Sequence, residues 1–333
     1  MKVKLADIAR KVGMSESTVS RALSAPDRVN SATRERVLEA ARQLGYVPLH
    51  PAAATESHAS RTIGLIVPDI VNPFFPPIIK AVQSRATSRG FSVLIADINE
   101  HPPDELRIAT HMSEQVDGLI IVSARTPESR FDALTALRPL VLVNRSHEDA
   151  PSVSIENDAG IIEAVEHLVA LGHRGICYLN GPRRSWSNTR RQAAVRAACA
   201  AENVPLTEFG PFEPDMQSGV RAADLVSASG ATAVIAFDDL IALGLIARLT
   251  ERGVHVGQDI SVIGVDDSPM SGMSYPTLTS IHVPGAEAGL TAADMLIDLI
   301  ETPGARPQHN PESIKLETRL VIRSSTAPAP APR

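Results

Sequence analysis

Hydroxyl groups and one arginine share one side of a short predicted helix within residues 13–23, GMSESTVSRAL. Val19, Ala22 and Leu23 form the apolar side of this helix, because residues three and four apart share a helix face. The opposite side carries Glu16, Ser17, Ser20 and Arg21. Short donors and acceptors around an arginine can reach the base edges and phosphates of DNA. A surface helix capped by Ser15 would show the same residues, so this stretch alone leaves both interpretations open.

A second group of residues suited to chemistry follows the ends of short apolar runs in the rest of the chain. Its members lie in DIVNPFF (69–75), NR (144–145), GPRRSWSNTRR (181–191), FDD (237–239) and VDD (265–267). Aromatic rings can stack on the apolar face of a sugar, and a carboxylate can accept two hydroxyl hydrogen bonds. The combination predicts a site for a sugar or sugar-like ligand. A purine, or an anionic ligand bound by the arginines, is the alternative.

Three helices are predicted in the segment that holds the hydroxyl-rich stretch 13–23. They are LADIARKV (5–12) ending at Gly13, ESTVSRAL (16–23), and SATRERVLEAARQLG (31–45) beginning behind Asn30 as N-cap. Ala9, Gly13 and Val19 have the spacing of a helix-turn-helix, where a small residue and a glycine turn let two helices pack at a fixed angle. The hydroxyl-rich helix then becomes the recognition helix. A two-helix corner that binds no DNA is the alternative.

The charge of the chain is divided unevenly between this head and the rest. Residues 1–47 hold nine Lys and Arg against five Asp and Glu, a charge of +4, so the overall charge of −6 leaves −10 on the remaining residues. A basic head on an acidic body predicts an anionic partner for the head alone.

Beyond a Pro-, Ala- and Ser-rich stretch, short β-branched runs alternate with segments of helical length. Continuous apolar strands joined by helices are typical of parallel sheets covered on both faces. The fold class is therefore predicted as an all-α helix-turn-helix head plus an α/β body of two doubly wound parallel-sheet lobes, with a cleft between their strand ends. The predicted boundaries are a head at 1–47, a hinge at 48–61, a first lobe at 62–158 plus 285–312, a second lobe at 159–284 plus 313–324, and a disordered tail at 325–333.

Several function classes are disfavoured by the same sequence. No phosphate-cradling glycine loop, Gly-x-Ser-x-Gly or His-Glu-x-x-His occurs, which argues against an enzyme. The two cysteines, Cys177 and Cys199, lack metal-ligand spacing, and we expect no metal and no cofactor. The absence of an apolar signal segment or membrane span predicts a cytoplasmic protein. A transport binding protein, which could share the body, would need a secretion signal and would have no use for a basic head.

With these elements in place, the sequence resembles the LacI/GalR family of bacterial transcriptional regulators. The blocks that carry the resemblance are LADIARKVGMSESTVSRAL, VNSATRERVLEAARQLGYVP, TIGLIVPDIVNPFF, HLVALGHRGICYLNGP, FDDLIALGLIARL and DISVIGVDDSPMSGMSYPTLTSI, in that order. The resemblance implies a homodimer whose paired heads bind a palindromic double-stranded operator. It also implies a body like the periplasmic sugar-binding proteins, in which a small effector changes the angle between the lobes. We expect a repressor of a carbohydrate-utilisation operon that its effector releases, with a corepressor-dependent regulator as the alternative.

The resemblance also implies roles in DNA binding. Glu16, Ser17 and Arg21 are expected at base edges, with Arg21 the candidate for guanine. The residues expected at phosphates or in the hinge contact are Lys4, Ser15, Thr18, Ser20, Arg28, Asn30, Thr33, Ala52 and Thr55. Two positions depart from the family pattern. Lys4 stands where a capping Ser or Thr is usual. In the hinge, Thr55 stands where a leucine wedge is usual, and Pro51 can serve as the first residue of a short helix, so we expect a hinge helix that forms weakly and bends the operator little.

In the cleft, the resemblance and the strand ends together select the effector candidates. They are Asp69, Asn72, Phe74, Phe75, Asn144, Arg145, Trp186, Arg191, Phe212, Asp238 and Asp266. Many family members have asparagine at the position of Asp238, so its contact with the effector is open.

Overall fold

The computed structural model describes residues 4–24, 29–44, 60–137, 139–302 and 313–331. The chain forms two compact units, Met1–Ala59 and Ser60–Arg333. The predicted hinge, including Pro51, Ala52 and Thr55, falls almost wholly outside the described residues, as does Arg28.

The head consists of three helices, α1 (Leu5–Val12), α2 (Glu16–Ser24) and α3 (Ser31–Leu44). Gly13 ends α1 with φ at +68°, in the left-handed region where a side chain would be strained. Ile8, Val19 and Val37 meet in the core, one from each helix. The predicted helix-turn-helix architecture is confirmed.

Side-chain oxygens cap the starts of α2 and α3, whereas α1 has no side-chain cap at its N-cap residue. Lys4 has no acceptor to offer at the N-cap of α1, and instead its own backbone N–H donates to the Asp7 carboxylate at 2.9 Å. The backbone N–H of Thr18 donates to Ser15 Oγ at 3.2 Å, and that of Ala32 donates to Asn30 Oδ1 at 2.9 Å. The predicted caps Ser15 and Asn30 therefore occupy the expected places.

The body alternates strands and helices along the chain. Its strands are β1 (Thr62–Val67), β2 (Ser92–Asp97), β3 (Gly118–Val122), β4 (Leu140–Val143), β5 (Ser152–Glu156), β6 (Ile176–Leu179), β7 (Leu206–Phe209), β8 (Ala233–Ala236), β9 (Ser261–Asp266), β10 (Thr279–His282), β11 (Ser313–Glu317) and β12 (Arg319–Val321). Its helices are α4 (Phe75–Ser88), α5 (Pro102–Ser113), α6 (Phe131–Thr135), α7 (Asp158–Ala170), α8 (Trp186–Ala201), α9 (Met216–Ser229), α10 (Asp239–Glu251), α11 (Pro269–Met273) and α12 (Gly285–Glu301).

The first lobe contains a six-stranded sheet in the order β11-β5-β4-β3-β1-β2, in which every pair is parallel. Strands β3 and β4 are buried along their whole length, as their continuous apolar runs require. Helix α12 packs closely on α4, because Gly289 lies where a Cβ atom would be 2.7 Å from the carbonyl oxygen of Ile78. This packing places residues 285–301 in the first lobe.

The second lobe contains a six-stranded sheet in the order β12-β10-β9-β8-β6-β7. Five of its strands are parallel, but β12 runs antiparallel to β10, so the prediction of a wholly parallel sheet is wrong at this edge. Cys177 and Cys199 are both fully buried, and burial raises the pKa of their thiols to about 12 and about 11. Neither thiol is therefore a nucleophile at neutral pH.

The late strand predicted at 313–323 as part of the second lobe is divided between the two lobes. Ser313–Glu317 pairs with β5 in the first sheet, whereas Arg319–Val321 pairs with β10 in the second. At the junction, the Thr318 hydroxyl donates to the Glu156 carbonyl at 3.0 Å and accepts from the Gly160 N–H at 3.3 Å. The alternating pattern continues through the crossing, so the sequence carries no sign that the strand changes sheets.

The tail predicted as disordered is packed against the second lobe from Ser325 to Ala329. Ser325 is fully buried, and its hydroxyl donates to the Val262 carbonyl at 2.6 Å. The backbone N–H of Ala329 donates to the Leu171 carbonyl at 2.8 Å. The Pro- and Ala-rich composition suggested disorder, but these backbone and hydroxyl hydrogen bonds hold the segment in place. Within the described residues, no helix is long and apolar enough to cross a membrane.

Candidate functional site

The recognition helix α2 presents its base-edge candidates to solvent. Glu16, Ser17 and Arg21 are exposed, while Val19 and Ala22 are buried in the core of the head. Arg21 Nε donates to the Ser17 carbonyl at 3.1 Å, which holds the guanidinium along the helix surface. An exposed guanidinium oriented by its own backbone can present its remaining N–H groups to the two acceptors of a guanine edge.

The residues predicted to contact phosphates lie mainly near the starts of the helices of the head, and some of their hydroxyl groups are hydrogen-bonded to one another. Ser15 Oγ lies 3.0 Å from Ser17 Oγ and 2.8 Å from Thr18 Oγ1, so these three hydroxyls form a small network at the start of α2. Ser20 and Thr33 are half-buried, whereas Lys4 and Asn30 are exposed. The start of α2 and of α3 each provides backbone N–H groups that suit a phosphate.

A cavity lies between the two lobes of the body, at the carboxyl ends of their strands, with a free volume of about 30 Å³. This volume holds little more than a water molecule. The side chains that line it are Asn72, Phe74, Phe75, Glu100, Ser123, Arg125 and Asn144 from the first lobe, and Ser185, Ser187, Arg191, Pro214, Phe237, Asp238 and Asp266 from the second. In this conformation the cavity is therefore too small for a ligand the size of a sugar.

One hydrogen bond of Asn144 crosses the cavity. Asn144 has φ at +55° directly after β4, a conformation that asparagine tolerates better than most residues. Its Nδ2 donates to Ser123 Oγ in the same lobe at 2.9 Å and to Ser187 Oγ in the other lobe at 3.1 Å. Asn144 thus joins the lobes directly in the closed conformation.

Two arginines of the cavity are held by carboxylates. Arg125 makes a bidentate pair with Glu100, both N–O distances being 2.7 Å, and its third donor bonds the Ser123 carbonyl at 3.0 Å. Arg191 is bonded to Asn157 Oδ1 at 3.1 Å, to the Phe237 carbonyl at 2.6 Å and to Asp266 Oδ1 at 3.3 Å. Each guanidinium group is therefore paired with a carboxylate and hydrogen-bonded within the protein through all three of its nitrogens.

Asp238 differs from the other carboxylates of the cavity. Its Oδ1 accepts from the backbone N–H of Ile241 at 2.8 Å as the N-cap of α10, but its Oδ2 is buried with no hydrogen-bond partner among the described residues. Burial raises the pKa of Asp238 to about 7, with Asp239 adding to the shift and Arg191 opposing it. Burial also raises the pKa of Asp266, against the attraction of Arg191.

Comparison with known proteins identifies both units. The family of bacterial regulatory proteins named for lacI matches residues 4–49, and a periplasmic binding protein-like domain matches residues 165–326. The chain is 32% identical over 336 residues to the HTH-type transcriptional repressor CytR of Escherichia coli (strain K12), covering 97% of this chain and 96% of that protein. It is 30% identical to the HTH-type transcriptional regulator DegA of Bacillus subtilis (strain 168), over 98% of this chain and 99% of that one. The chain belongs to the LacI family.

Solved structures of the LacI family agree with the fold. A Lac repressor dimer bound to operator and the anti-inducer ONPF matches with a TM-score of 0.74 and 28% identity, over 98% of this chain and all of that one. A complex of the regulator CelR with cellobiose matches with a TM-score of 0.71 and 28% identity, over 97% of this chain and all of that one. The protein is a DNA-binding transcriptional regulator with a helix-turn-helix head and a periplasmic-binding-protein-like body.

In this LacI-family body, the cavity brings together most of the predicted effector residues. Those that line it are Asn72, Phe74, Phe75, Asn144, Arg191, Asp238 and Asp266. Phe74 and Phe75 lie edge to face, their centroids 5.0 Å apart and their planes at 76°. Asn72 supports them, since its Oδ1 accepts from the Phe74 N–H at 3.0 Å.

Four predicted effector residues lie outside the cavity. Arg145 turns away from it, because its guanidinium lies 4.4 Å from the Phe131 ring and pairs with Glu128 at 2.9 Å. Asp69 accepts from the Val71 N–H within its own turn. Trp186 lies under the Arg190 guanidinium at 5.7 Å, and Phe212 packs on the core of the second lobe.

Seven residues that line the cavity were not among the predicted effector residues. They are Glu100, Ser123, Arg125, Ser185, Ser187, Pro214 and Phe237. Ser123 directly follows β3, so the rule that selected Asn144 after β4 would also have selected Ser123. Glu100 had no such signal, because it lies three residues beyond β2 and reaches the cavity only through its pair with Arg125.

One group of potential metal ligands lies outside the cavity. Oxygen and nitrogen atoms of Asp132, His147 and Asp149 lie within 4.8 Å of one another. However, His147 Nδ1 accepts from the Asp149 N–H at 3.2 Å, and its Nε2 lies 3.2 Å from Glu128 Oε1. Since both ring nitrogens have partners, we assign no metal site here.

Proposed function

We propose that this regulator is a homodimeric repressor whose head binds a palindromic operator and whose cleft binds a sugar-like effector that releases the DNA. We infer the class of effector from the ion pairs that the two arginines of the cavity make with carboxylates. Because Arg125 and Arg191 are paired with Glu100 and Asp266, an anionic ligand would have to break these pairs. A ligand rich in hydroxyl groups can instead donate to the carboxylates and amides of the cavity.

The bridge between the lobes supports release by the effector. The closed cavity has a free volume of about 30 Å³, and Asn144 bonds directly to Ser187 across it. An entering sugar must separate these residues and take over their hydrogen bonds, so it changes the angle between the lobes. Such a change alters operator affinity when the paired heads must fit two half-sites at a fixed spacing.

Exposed apolar side chains on the second lobe support the proposal that the protein forms a homodimer. Met273 and Tyr275 are 83% and 96% exposed, and Met270 lies on the same short segment. Methionine and tyrosine are enriched at protein interfaces. The similar Lac repressor structure is likewise a dimer bound to operator.

We also propose that the protein acts in the cytoplasm and that its cleft binds a ligand without catalysing a reaction. The relatives that match this chain over nearly its whole length, CytR and DegA, are transcriptional regulators. We therefore infer that the cleft binds its ligand unchanged.

The test is fluorescence anisotropy of the full chain on DNA from upstream of its own gene, at several salt concentrations and with a panel of sugars. We expect nanomolar binding with a steep salt slope, abolished by one of the sugars. Strengthened binding would favour a corepressor-dependent regulator. Weak binding of equal strength on unrelated DNA would contradict the proposal.

A further inference from the structure

Two acceptor atoms of the cavity have no hydrogen-bond partner among the described residues. They are Oδ2 of Asp238 and Oδ1 of Asn144, and their side chains line the cavity from opposite lobes. Asp238 is 2% exposed and Asn144 is 3% exposed, so bulk water does not compensate them. Buried acceptors without partners are rare in folded proteins, and at a ligand site they indicate a ligand that donates hydrogen bonds.

The charges of the cavity leave one carboxylate uncompensated. Three carboxylates and two guanidinium groups line it. Glu100 is paired with Arg125 and Asp266 with Arg191, which leaves Asp238. The charged groups facing Asp238 are Asp239, Asp215, Arg191 and Asp266, and three of the four are carboxylates. The place beside Asp238 therefore favours a positive charge.

The hydrogen-bonding character of the cavity agrees with its charge. Arg125 and Arg191 each donate to protein acceptors through all three guanidinium nitrogens, so the acceptors of the cavity that still need a donor are Asp238 Oδ2 and Asn144 Oδ1. A neutral hydroxyl can satisfy one acceptor, but a protonated amine supplies three N–H donors together with the missing charge. Burial raises the pKa of Asp238 to about 7, which means that a proton already competes for this position near neutral pH.

Building on the proposed effector cleft, we propose that the effector is an amino sugar and that Asp238 binds its ammonium group. Asn144 Oδ1 accepts from a neighbouring hydroxyl of the same ligand. The rings of Phe74 and Phe75 provide the apolar surface for the sugar ring. Asp238 is then the residue that separates amino sugars from their neutral parents.

Isothermal titration of the full chain with matched pairs of sugars tests this assignment at pH 7.5. The pairs are D-glucose with D-glucosamine, D-galactose with D-galactosamine, and D-mannose with D-mannosamine, each accompanied by the N-acetylated derivative. We expect the amine of at least one pair to bind at least tenfold tighter than its neutral parent, and N-acetylation to abolish this advantage. Asp238→Asn, which keeps the cap of α10, should remove the preference. Asp298→Asn replaces an exposed carboxylate on α12 that pairs with Arg89 outside the cavity, and it should preserve the preference.

The pH dependence of the unmodified protein gives a second readout that does not depend on a folded variant. Affinity for the amine should fall as the pH is lowered through about 7, because a proton then occupies Asp238. Equal or tighter binding of the neutral parents, a preference unchanged in Asp238→Asn, or binding of none of the compounds would each overturn the assignment. Operator binding in the absence of sugar is measured separately, so the proposed repressor would stand or fall on its own result.

Discussion

At the scale of single residues, Asp238 links the cleft to the stability of the fold. Its carboxylate caps α10 while burial raises its pKa from 3.8 to about 7. The folded state therefore holds a proton that the unfolded state releases, and stability falls as the pH rises from about 4 to about 7, by up to about 1.4 kcal/mol per pH unit for one proton.

Asp238→Asn should reduce the loss of stability with rising pH while keeping the N-cap hydrogen bond of α10. We expect the variant to be more stable than the parent by about 1 to 4 kcal/mol at pH 7.5, with a smaller difference at pH 5. Urea unfolding at both pH values measures it, with Asp215→Asn as the control for replacing a capping carboxylate. A difference independent of pH would show that ionisation of Asp238 is not the cause.

Arg21 is the residue on which specific DNA recognition is expected to depend. Its removal by Arg21→Ala should weaken operator binding by about 1 to 3 kcal/mol, or roughly 5- to 150-fold, and leave binding to unrelated DNA nearly unchanged. Arg42→Ala removes the same charge from an exposed site on α3 that pairs with Glu39 at 3.0 Å, and serves as the control. Equal effects of the two substitutions on the operator would mean that Arg21 contributes charge and no base recognition.

At the scale of elements, the carboxyl-terminal segment acts as part of the second lobe. Ser325 Oγ accepts from the Thr279 N–H at 2.8 Å, and the Ala327 carbonyl lies 3.1 Å from His173 Nε2. Burial lowers the pKa of His173, so the folded state binds fewer protons at this ring than the unfolded state does. Stability therefore falls as the pH drops below about 6.5, the ordinary pKa of histidine, towards the lower pKa of His173 in the folded state.

Truncation after Ser324 should consequently destabilise the body. At least three hydrogen bonds disappear and buried partners such as the Val262 carbonyl lose theirs, for a cost of about 3 kcal/mol in the free energy of unfolding. Chemical denaturation of the truncated and full chains checks this, and removal of Ala331 onward is the control. An unchanged unfolding midpoint would contradict a structural role for the segment.

At the scale of the whole molecule, the proposed dimer depends on surface that the single chain leaves exposed. Replacing both Met273 and Tyr275 by Glu should raise the dimer dissociation constant at least 100-fold without altering the circular dichroism spectrum, because two charges would have to be buried in the interface. Sedimentation equilibrium measures the effect. Leu225→Glu, at another partly exposed apolar site, is the control, and a double variant that remains dimeric at micromolar concentration would place the interface elsewhere.

Much of the architecture was predictable because it is encoded in short stretches of sequence. Gly13 ends α1, Ser15 and Asn30 cap the next two helices, and continuous apolar runs form the central strands. The rule that ligands bind at the carboxyl ends of parallel strands then selected Asn144, Asp238 and Asp266, all of which line the cavity.

Ion pairs, side-chain directions and strand pairings that involve residues far apart in the chain were determined only by the tertiary structure. Arg191 and Asp266 are 75 positions apart, and their pairing is what leaves Asp238 as the uncompensated carboxylate. Arg145 lies next to Asn144, yet its contacts with Phe131 and Glu128 turn it away from the cavity. The strand from Ser313 changes sheets at Thr318 because its partners β5 and β10 belong to different lobes. Sequence patterns report local periodicity and capping, whereas charge balance and hydrogen-bond partners are set by which distant groups the fold brings within about 3 Å.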